Sequence, residues 1–326
     1  MDDIVVNVQP AGGFCNIRCG YCDQTCRCDN IREFNFDAFE VMLRDIEKTD
    51  PHFVTFVLHG GEPLTAAPEV LFRIIDLCEE HFHGKSRVQV QTNGVLLADD
   101  ISGALFSKRC GFSVSLDPDL GNRRYDCGTR AVVKGNISRL LRLGADVGVV
   151  SVAHAYNLDG FSPMLHELRD MGVAAWTINR VRCDREIGFY VSEMDYVNLL
   201  LSVMREWIGE RLFRSIRILP ILDLLTSRGG NHCCRYSSRQ TKCSSFFVFN
   251  GAKVLNHCEH LPTHVNLPDE RCLCCSDYDF CGGGCPAEER DDSFCEARRL
   301  LKKTILNFRQ FKENDDEART RQQEQH

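Results

Sequence analysis

An α/β fold built on a parallel sheet is what this sequence predicts, and three observations predict it. Apolar strand-like runs alternate with amphipathic helix-like stretches over the first two-thirds of the chain. The alternation yields six β–α units in succession, which right-handed crossovers turn into a parallel sheet. The residues with chemical character gather at the C-terminal ends of the strands, the edge where α/β barrels and open sheets both place their chemistry.

In chain order, Ile4 to Gln9 reads as a strand leading into a cysteine-bearing loop, and Phe36 to Glu47 as a helix with Asn35 as its N-cap. His52 to Leu58 is a strand ending at Gly60-Gly61, and Glu69 to Phe82 a helix opening after Pro68. Val88 to Gln91 is a strand ending at Thr92-Asn93-Gly94, followed by a helix from Asp99 to Lys108. Phe112 to Leu116 is a strand ending at Asp117-Pro118, followed by a helix from Val132 to Leu143. Val147 to Ala153 and Ala174 to Val181 are two further strands, with a helix from Met164 to Met171 between them, and Glu193 to Ile208 supplies the sixth helix. Periodicity does not separate an open doubly wound sheet from a partial barrel. From Arg211 the alternation fades into a bridge, and the segment after Asn231 is rich in Cys and Gly, as expected of a fold organised around metal. The last stretch, KENDDEARTRQQEQH, is polar throughout and reads as a frayed helix or a disordered tail.

At 43% hydrophobic and 26% charged, the 326 residues have an ordinary globular composition. No apolar run is long enough to span a bilayer, and the first residues lack the basic-then-apolar pattern of a secretory signal, so a cytoplasmic location is expected. A formal net charge of −7 argues against a general nucleic-acid binder. Cysteine is the outlier: there are 19, an odd count that cannot pair completely, in a chain expected in a reducing compartment. They cluster between Cys15 and Cys28 and again between Cys233 and Cys295, so the two ends look like metal sites and the middle like scaffold.

Cys15, Cys19 and Cys22 have the spacing C-x3-C-x2-C. Three thiolates on a tight loop can each hold one iron of a [4Fe–4S] cube and leave the fourth iron open to a substrate, whereas a ferredoxin loop saturates every iron. The competing reading is a closed zinc site completed by Cys26 or Cys28.

With Tyr21 before the last cysteine, this loop resembles the signature of the radical S-adenosylmethionine (SAM) superfamily. Three more matches follow in order. His59-Gly60-Gly61-Glu62-Pro63 resembles the family's GGE motif, which holds the amino group of the methionine moiety; Thr92-Asn93-Gly94 resembles a TNG strand end; Ser115-Leu116-Asp117 resembles an SLDG strand end whose serine contacts the cofactor. Pro118 replaces the glycine of that last motif, and the family arginine falls on Arg123 or Arg124, of which Arg124 is carried as the candidate. The resemblance implies a partial (β/α)6 TIM-type barrel, with Tyr21, Gly60, Gly61, Glu62, Thr92, Asn93, Ser115 and Arg124 around S-adenosylmethionine. It also implies the chemistry: an electron from the reduced cluster splits the sulfonium, and the 5′-deoxyadenosyl radical removes hydrogen from an unactivated C–H bond.

Cys272-x2-Cys275-x5-Cys281-x3-Cys285, with Cys295 beyond, resembles the SPASM domain, the auxiliary-cluster extension of sulfatase-maturating and peptide-modifying radical enzymes. Carried over, one auxiliary cluster takes Cys234, Cys243, Cys258 and Cys285, and the other Cys272, Cys275, Cys281 and Cys295, for three [4Fe–4S] clusters in all. Cys233 competes with Cys234, and Cys274 is left over. The bland alternative is a pair of zinc knuckles. The implied organisation is a radical SAM core over 1–210, a bridge over 211–232, a SPASM domain over 233–300 and a polar tail over 301–326.

Glu259 stands where sulfatase maturases carry an acidic base, flanked by His257 and His260; an ordinary solvated carboxylate is the competing reading. Cys26 and Cys28 are extra thiols or plain loop residues, while Cys78 and Cys183 read as core. Three functions follow: a maturase that cross-links side chains of a ribosomal peptide through carbon–carbon or thioether bonds, a formylglycine-forming sulfatase maturase, and a non-catalytic zinc-binding interaction protein. The first two imply a peptide or protein substrate and an external flavodoxin- or ferredoxin-like electron donor, with no nucleic acid or membrane partner. Only fourteen residues precede Cys15, so a leader peptide is expected to bind the barrel, the bridge or a separate protein.

Overall fold

The computed structural model describes residues 3–22, 33–118, 127–183, 185–226, 246–255, 270–285, 288 and 290–323. Its strands are β1 (Ile4–Val8), β2 (Val54–Leu58), β3 (Ser86–Thr92), β4 (Gly111–Ser115), β5 (Val147–Ala153), β6 (Ala175–Arg180), β7 (Arg217–Leu219), β8 (Phe246–Phe249) and β9 (Val254–Leu255). They form one sheet in the order β7-β6-β5-β4-β3-β2-β1-β8-β9. All pairings are parallel except that of β9 with β8. β7 and β9 lie at opposite edges and do not pair with each other, so the sheet is an open, partial barrel.

The helices are α1 (Phe36–Glu47), α2 (Pro68–His81), α3 (Asp99–Ser107), α4 (Cys127–Arg142), α5 (Phe161–Met171), α6 (Glu193–Gly209), α7 (Ile221–Thr226), α8 (Glu270–Leu273), α9 (Tyr278–Cys281) and α10 (Phe294–Gln323). The six expected strand–helix units are all present. Local chemistry sets their ends. The Asn35 side chain accepts from the Ala38 amide at 3.0 Å and caps α1, whose Phe39, Met42, Leu43 and Ile46 form one buried stripe. α5 stops at Gly172, which adopts a left-handed φ of 82°. Behind α5, Phe161 stacks on Trp176, and the Trp176 indole donates to the Ser151 hydroxyl at 2.9 Å, satisfying a buried polar pair.

Burial alternates along β1, β2, β5 and β6. The buried positions belong to the main apolar core, apart from Ser151 on β5 and Arg180 on β6. The half-buried positions of the other face mix polar Asn7, Thr55, Gln89, Gln91, Thr177 and Asn179 with apolar Val5, Val57, Val150 and Val152. A parallel sheet covered on both faces would be apolar throughout; this one carries polar side chains on its second face.

Two features lie outside the sequence reading. The bridge from Arg211 contains a seventh unit, β7 and α7, and β8 and β9 extend the sheet on the β1 side. Helix α10 runs through the expected boundary at residue 300, and its Ala297, Leu301 and Ile305 are buried at helical spacing where it packs on α6. Among the described residues, no helix is long and apolar enough to cross a membrane.

The α10 packing gives a paired test. Leu301→Ala should lower unfolding free energy by about 2–5 kcal/mol, whereas Leu306→Ala, at a 43% exposed position, should stay within about 0.5 kcal/mol of the parent. Urea denaturation of the two variants reads the difference.

Candidate active site

The loop after β1 carries Cys15, Cys19 and Cys22, and the neighbouring strand ends hold it. The His59 amide donates to Val8 at 2.8 Å, Gly61 to Gly12 at 2.9 Å and Glu62 to Phe14 at 2.7 Å, so the β2 end lies directly against the cysteine loop. This approach explains both glycines. Gly60 has φ of 105°, and a Cβ on Gly61 would sit 2.0 Å from the Phe14 carbonyl oxygen.

Glu62 is almost fully buried, and its carboxylate ties β2 to β3. Oε1 accepts from the Thr92 hydroxyl at 2.7 Å and the Leu64 amide at 3.1 Å, and Oε2 from the Asn93 amide at 2.7 Å. Asn93 then reaches the loop, its Nδ2 donating to Asn16 Oδ1 at 2.7 Å and to Cys15 Sγ at 3.6 Å. At the loop's other end, the Tyr21 hydroxyl donates to Asp117 in a short bond, and the opposite Asp117 oxygen accepts from the Val152 amide at 2.9 Å. The expected residues Tyr21, Gly60, Gly61, Glu62, Thr92 and Asn93 thus belong to one connected network, and Ser115 is buried at the end of β4 beside it.

Burial pushes the Cys15 thiol up; Glu62 and Cys22 act in the same direction, against the Ile17 backbone and Asn93. Proximity of Cys15 to Cys22, with an N–H donor aimed at sulfur, suits a donor set that becomes thiolate when it binds metal. The cysteines whose side chains are described are free thiols.

An aromatic cluster covers the loop. The Tyr21 ring centroid lies 5.1 Å from that of His154 and 5.9 Å from that of Phe189, and Phe189 lies 5.4 Å from Tyr156. Gly20 is required here, since a Cβ would approach the Phe189 ring to 2.9 Å. Sequence reasoning missed His154 and Phe189. His154 directly follows β5, so the strand-end rule could have found it; nothing local marks Phe189. Also missed was Arg130, whose Nε donates to the Asp117 carbonyl at 3.4 Å while its other nitrogens grip Glu167 at 3.2 and 2.7 Å. Arg123, Arg124, Cys26, Cys28, Cys233, Cys234, Cys243, Cys258, His257, Glu259 and His260 lie outside the described residues.

In the C-terminal segment, Cys272 lies on α8, Cys275 just after it, Cys281 at the end of α9, Cys285 beyond and Cys295 on α10. Burial raises the Cys281 thiol, Arg298 opposes it, and the charges of Cys295 and Cys272 are felt there, which puts these three thiols in one neighbourhood. The Asp277 amide donates to Cys275 Sγ at 3.4 Å and Arg290 to Cys272 Sγ at 3.0 Å. Converging thiols with N–H donors aimed at sulfur fit a cluster or a metal ion. Cys274 is exposed. Cys78 and Cys110 are buried, Cys110 pushed up to about 12 by burial, as suits core thiols, while Cys183 is half-buried.

A buried charge network fastens this segment to the barrel. Arg180, the last residue of β6, pairs with Glu193 at 2.8 Å and with Glu288 at 3.0 Å, and Arg298 of α10 pairs with the other Glu193 oxygen at 2.8 Å. Asp291 accepts from the Glu193 amide and the Tyr190 hydroxyl, both at 2.7 Å. Burial pushes Asp291 upward, but Ser293, the Glu193 amide, Tyr190 and Arg180 together outweigh it and hold the carboxyl below its ordinary range.

Comparison with known proteins agrees with this geometry. Residues 10–163 match the family model of the radical SAM superfamily, so the chain carries a radical SAM domain. More particularly, its sequence is related to the cysteine-type anaerobic sulfatase-maturating enzymes of Clostridium. The protein of C. perfringens strain 13 is 30% identical over 127 residues, covering 36% of this chain and 34% of that one. The protein of C. novyi strain NT is 21% identical over 358 residues, covering 91% and 94%. The match thus spans about a third of the first relative. Among solved structures, native anSMEcpe with bound AdoMet and a Cp18Cys peptide superposes with a TM-score of 0.75 at 16% identity, covering 94% of this chain and 99% of that one. SuiB of Streptococcus suis bound to precursor peptide SuiA superposes at 0.64 with 13% identity, covering 89% and 75%. At these identities the structures establish a shared fold.

Two variants test the site. Gly61→Ala should displace the cysteine loop and lower the iron bound per chain after anaerobic reconstitution. Glu193→Gln leaves Arg180 and Arg298 buried beside a neutral partner and should cost about 3 kcal/mol, read by chemical denaturation, with faster proteolysis near α10.

Proposed function

We propose that this chain is a radical SAM maturase that oxidatively modifies a side chain of a ribosomally made peptide or a protein. The observation that carries the reading is the seating of the Cys15 end of the loop against the ends of β2 and β3, with Asn93 donating to the Cys15 sulfur and Cys22 close enough for its charge to be felt there. In this reading Cys15, Cys19 and Cys22 hold a [4Fe–4S] cluster and leave one iron for S-adenosylmethionine. Once reduced, that cluster supplies the electron that splits S-adenosylmethionine and yields a radical able to take hydrogen from a C–H bond.

The remaining tasks fall to the protein. Glu62 is occupied by donors from β3 and the following turn, so its part is to hold the strand ends in register, and the Gly60-Gly61 turn is assigned to the amino group of S-adenosylmethionine. Ser115 offers a hydroxyl at the β4 end, and Tyr21, His154 and Phe189 offer flat faces to an adenine and exclude water. The family arginine is assigned to Arg124, and Arg130 braces the Asp117 turn from outside. Cys272, Cys275, Cys281 and Cys295 hold one auxiliary cluster, and Cys234, Cys243, Cys258 and Cys285 the other, with reducing electrons drawn from an external flavodoxin- or ferredoxin-like protein.

Cross-linking of a precursor peptide is the preferred chemistry, with Glu259 as candidate base. Formylglycine formation on a sulfatase is the second reading, and the sequence relation to sulfatase-maturating enzymes favours it.

Anaerobically purified protein should contain about three clusters per chain with matching acid-labile sulfide, and dithionite should elicit 5′-deoxyadenosine from the parent but not from Cys15→Ala. Stoichiometric zinc without sulfide would defeat the proposal. Co-expression with a neighbouring small open reading frame should lower the peptide mass by two hydrogens; turnover of a C/S-x-P-x-R peptide to an aldehyde would select formylglycine formation instead.

A further inference from the structure

Three arginines surround the C-terminal thiols, and they are not equivalent. Arg298 affects Cys281 but is engaged by buried Glu193, and Arg299 reaches Cys275 but is paired with Asp277, which Lys302 also neutralises. Arg290 is different. Its Nη1 donates to Cys272 Sγ at 3.0 Å, and among the described residues no carboxylate pairs with it.

The fold builds a seat for this guanidinium. Gly282, Gly283 and Gly284 all have left-handed φ, of 59°, 77° and 82°. A Cβ on Gly283 would come within 3.1 Å of Arg290 Nη2, so the bare backbone is what lets the guanidinium lie there. The Phe294 ring packs on it with its centroid 5.5 Å away, and that ring is itself pressed onto Gly284, where a Cβ would meet it at 2.7 Å. The Arg290 carbonyl accepts from Arg185 at 2.6 Å, which ties the seat to the segment after β6.

We propose that Arg290 is a positioning residue that raises the reduction potential of the cluster held by Cys272, Cys275, Cys281 and Cys295, acting through its charged hydrogen bond to the Cys272 sulfur. The inference rests on the assignment of those four cysteines to an auxiliary cluster. A cluster gains negative charge when it takes up one electron, and a cationic donor on a ligating sulfur stabilises the reduced form more than the oxidised one. No bond forms or breaks, and in the test the electron comes from dithionite.

The test is an EPR-monitored redox titration of the full chain with Cys15, Cys19 and Cys22 changed to alanine, so that every signal belongs to the C-terminal cysteines. Arg290→Met, at matched iron and sulfide content, should lower one midpoint potential so that the oxidised-to-reduced ratio at fixed potential changes about tenfold, equivalent to about 59 mV for one electron. Arg290→Lys, which keeps the charge but not the planar fork, should fall between. Unchanged midpoints with clusters intact overturn the role of Arg290 and leave the cluster assignment standing. Loss of the cluster in both variants makes Arg290 an assembly residue and overturns the tuning role. A parent chain without C-terminal iron and sulfide overturns the assignment and the inference together.

Discussion

The cysteine loop after β1 has little apolar surface of its own to bury, so its shape is imposed from outside, chiefly by the contact between the Gly60-Gly61 turn and the backbone of Gly12 to Phe14. The Phe14 carbonyl accepts from Glu62 at 2.7 Å, a distance that only a side-chain-free Gly61 allows. From that contact the remaining restraints follow in sequence. Glu62 is brought under the β3 end, its carboxylate orients Asn93, and Asn93 reaches back to Asn16 and Cys15. A buried carboxylate is costly unless it is hydrogen-bonded; the Thr92, Asn93 and Leu64 donors to Glu62 offset that cost and fix two strand ends relative to each other. The Tyr21–Asp117 bond closes the arrangement from β4.

The second half of the molecule uses charge where the first uses backbone geometry. Arg180, Glu193, Arg298, Glu288 and Asp291 bring together residues about a hundred positions apart. Desolvating such groups costs several kcal/mol per ion, so the network is poor evidence for raw stability. It is better understood as register. An apolar patch would tolerate sliding of α10 along α6, whereas Glu193 held between Arg180 and Arg298 accepts one placement. That placement brings Cys295, one position into α10, alongside Cys281 and Cys272.

How much of this was legible follows from the range of each interaction. The six strand–helix units and the α1 cap were readable because period-2 and period-3.6 patterns and an Asn before an apolar stripe are local signals. β7 and β9, of three and two residues, are too short to show a period, and β8 is placed by its pairing with a strand more than two hundred residues earlier. The strand-end motifs were identified as residues of one site, but the part Glu62 plays was not, because it depends on partners thirty residues on. Arg130 and Phe189 were missed for the same reason. The stripe Ala297, Leu301, Ile305 is a local signal, yet the polar run after it obscured it.

The two cysteine groups differ in the charge of the donors around them. Around Cys15 the donors are neutral, from Asn93 and the Ile17 backbone, and the nearest carboxylate, Glu62, opposes negative charge on sulfur. Around Cys272, Cys275 and Cys281 the neighbours include three guanidinium groups, of which Arg298 and Arg299 are themselves paired with Glu193 and Asp277. Burial raises both Cys15 and Cys281, so the sites differ in the charge of their donors and not in the direction of that effect. Should the two sets of thiols hold clusters as proposed, the donor aimed at Cys272 is charged where the donor aimed at Cys15 is neutral, and that difference is what would separate the two in potential.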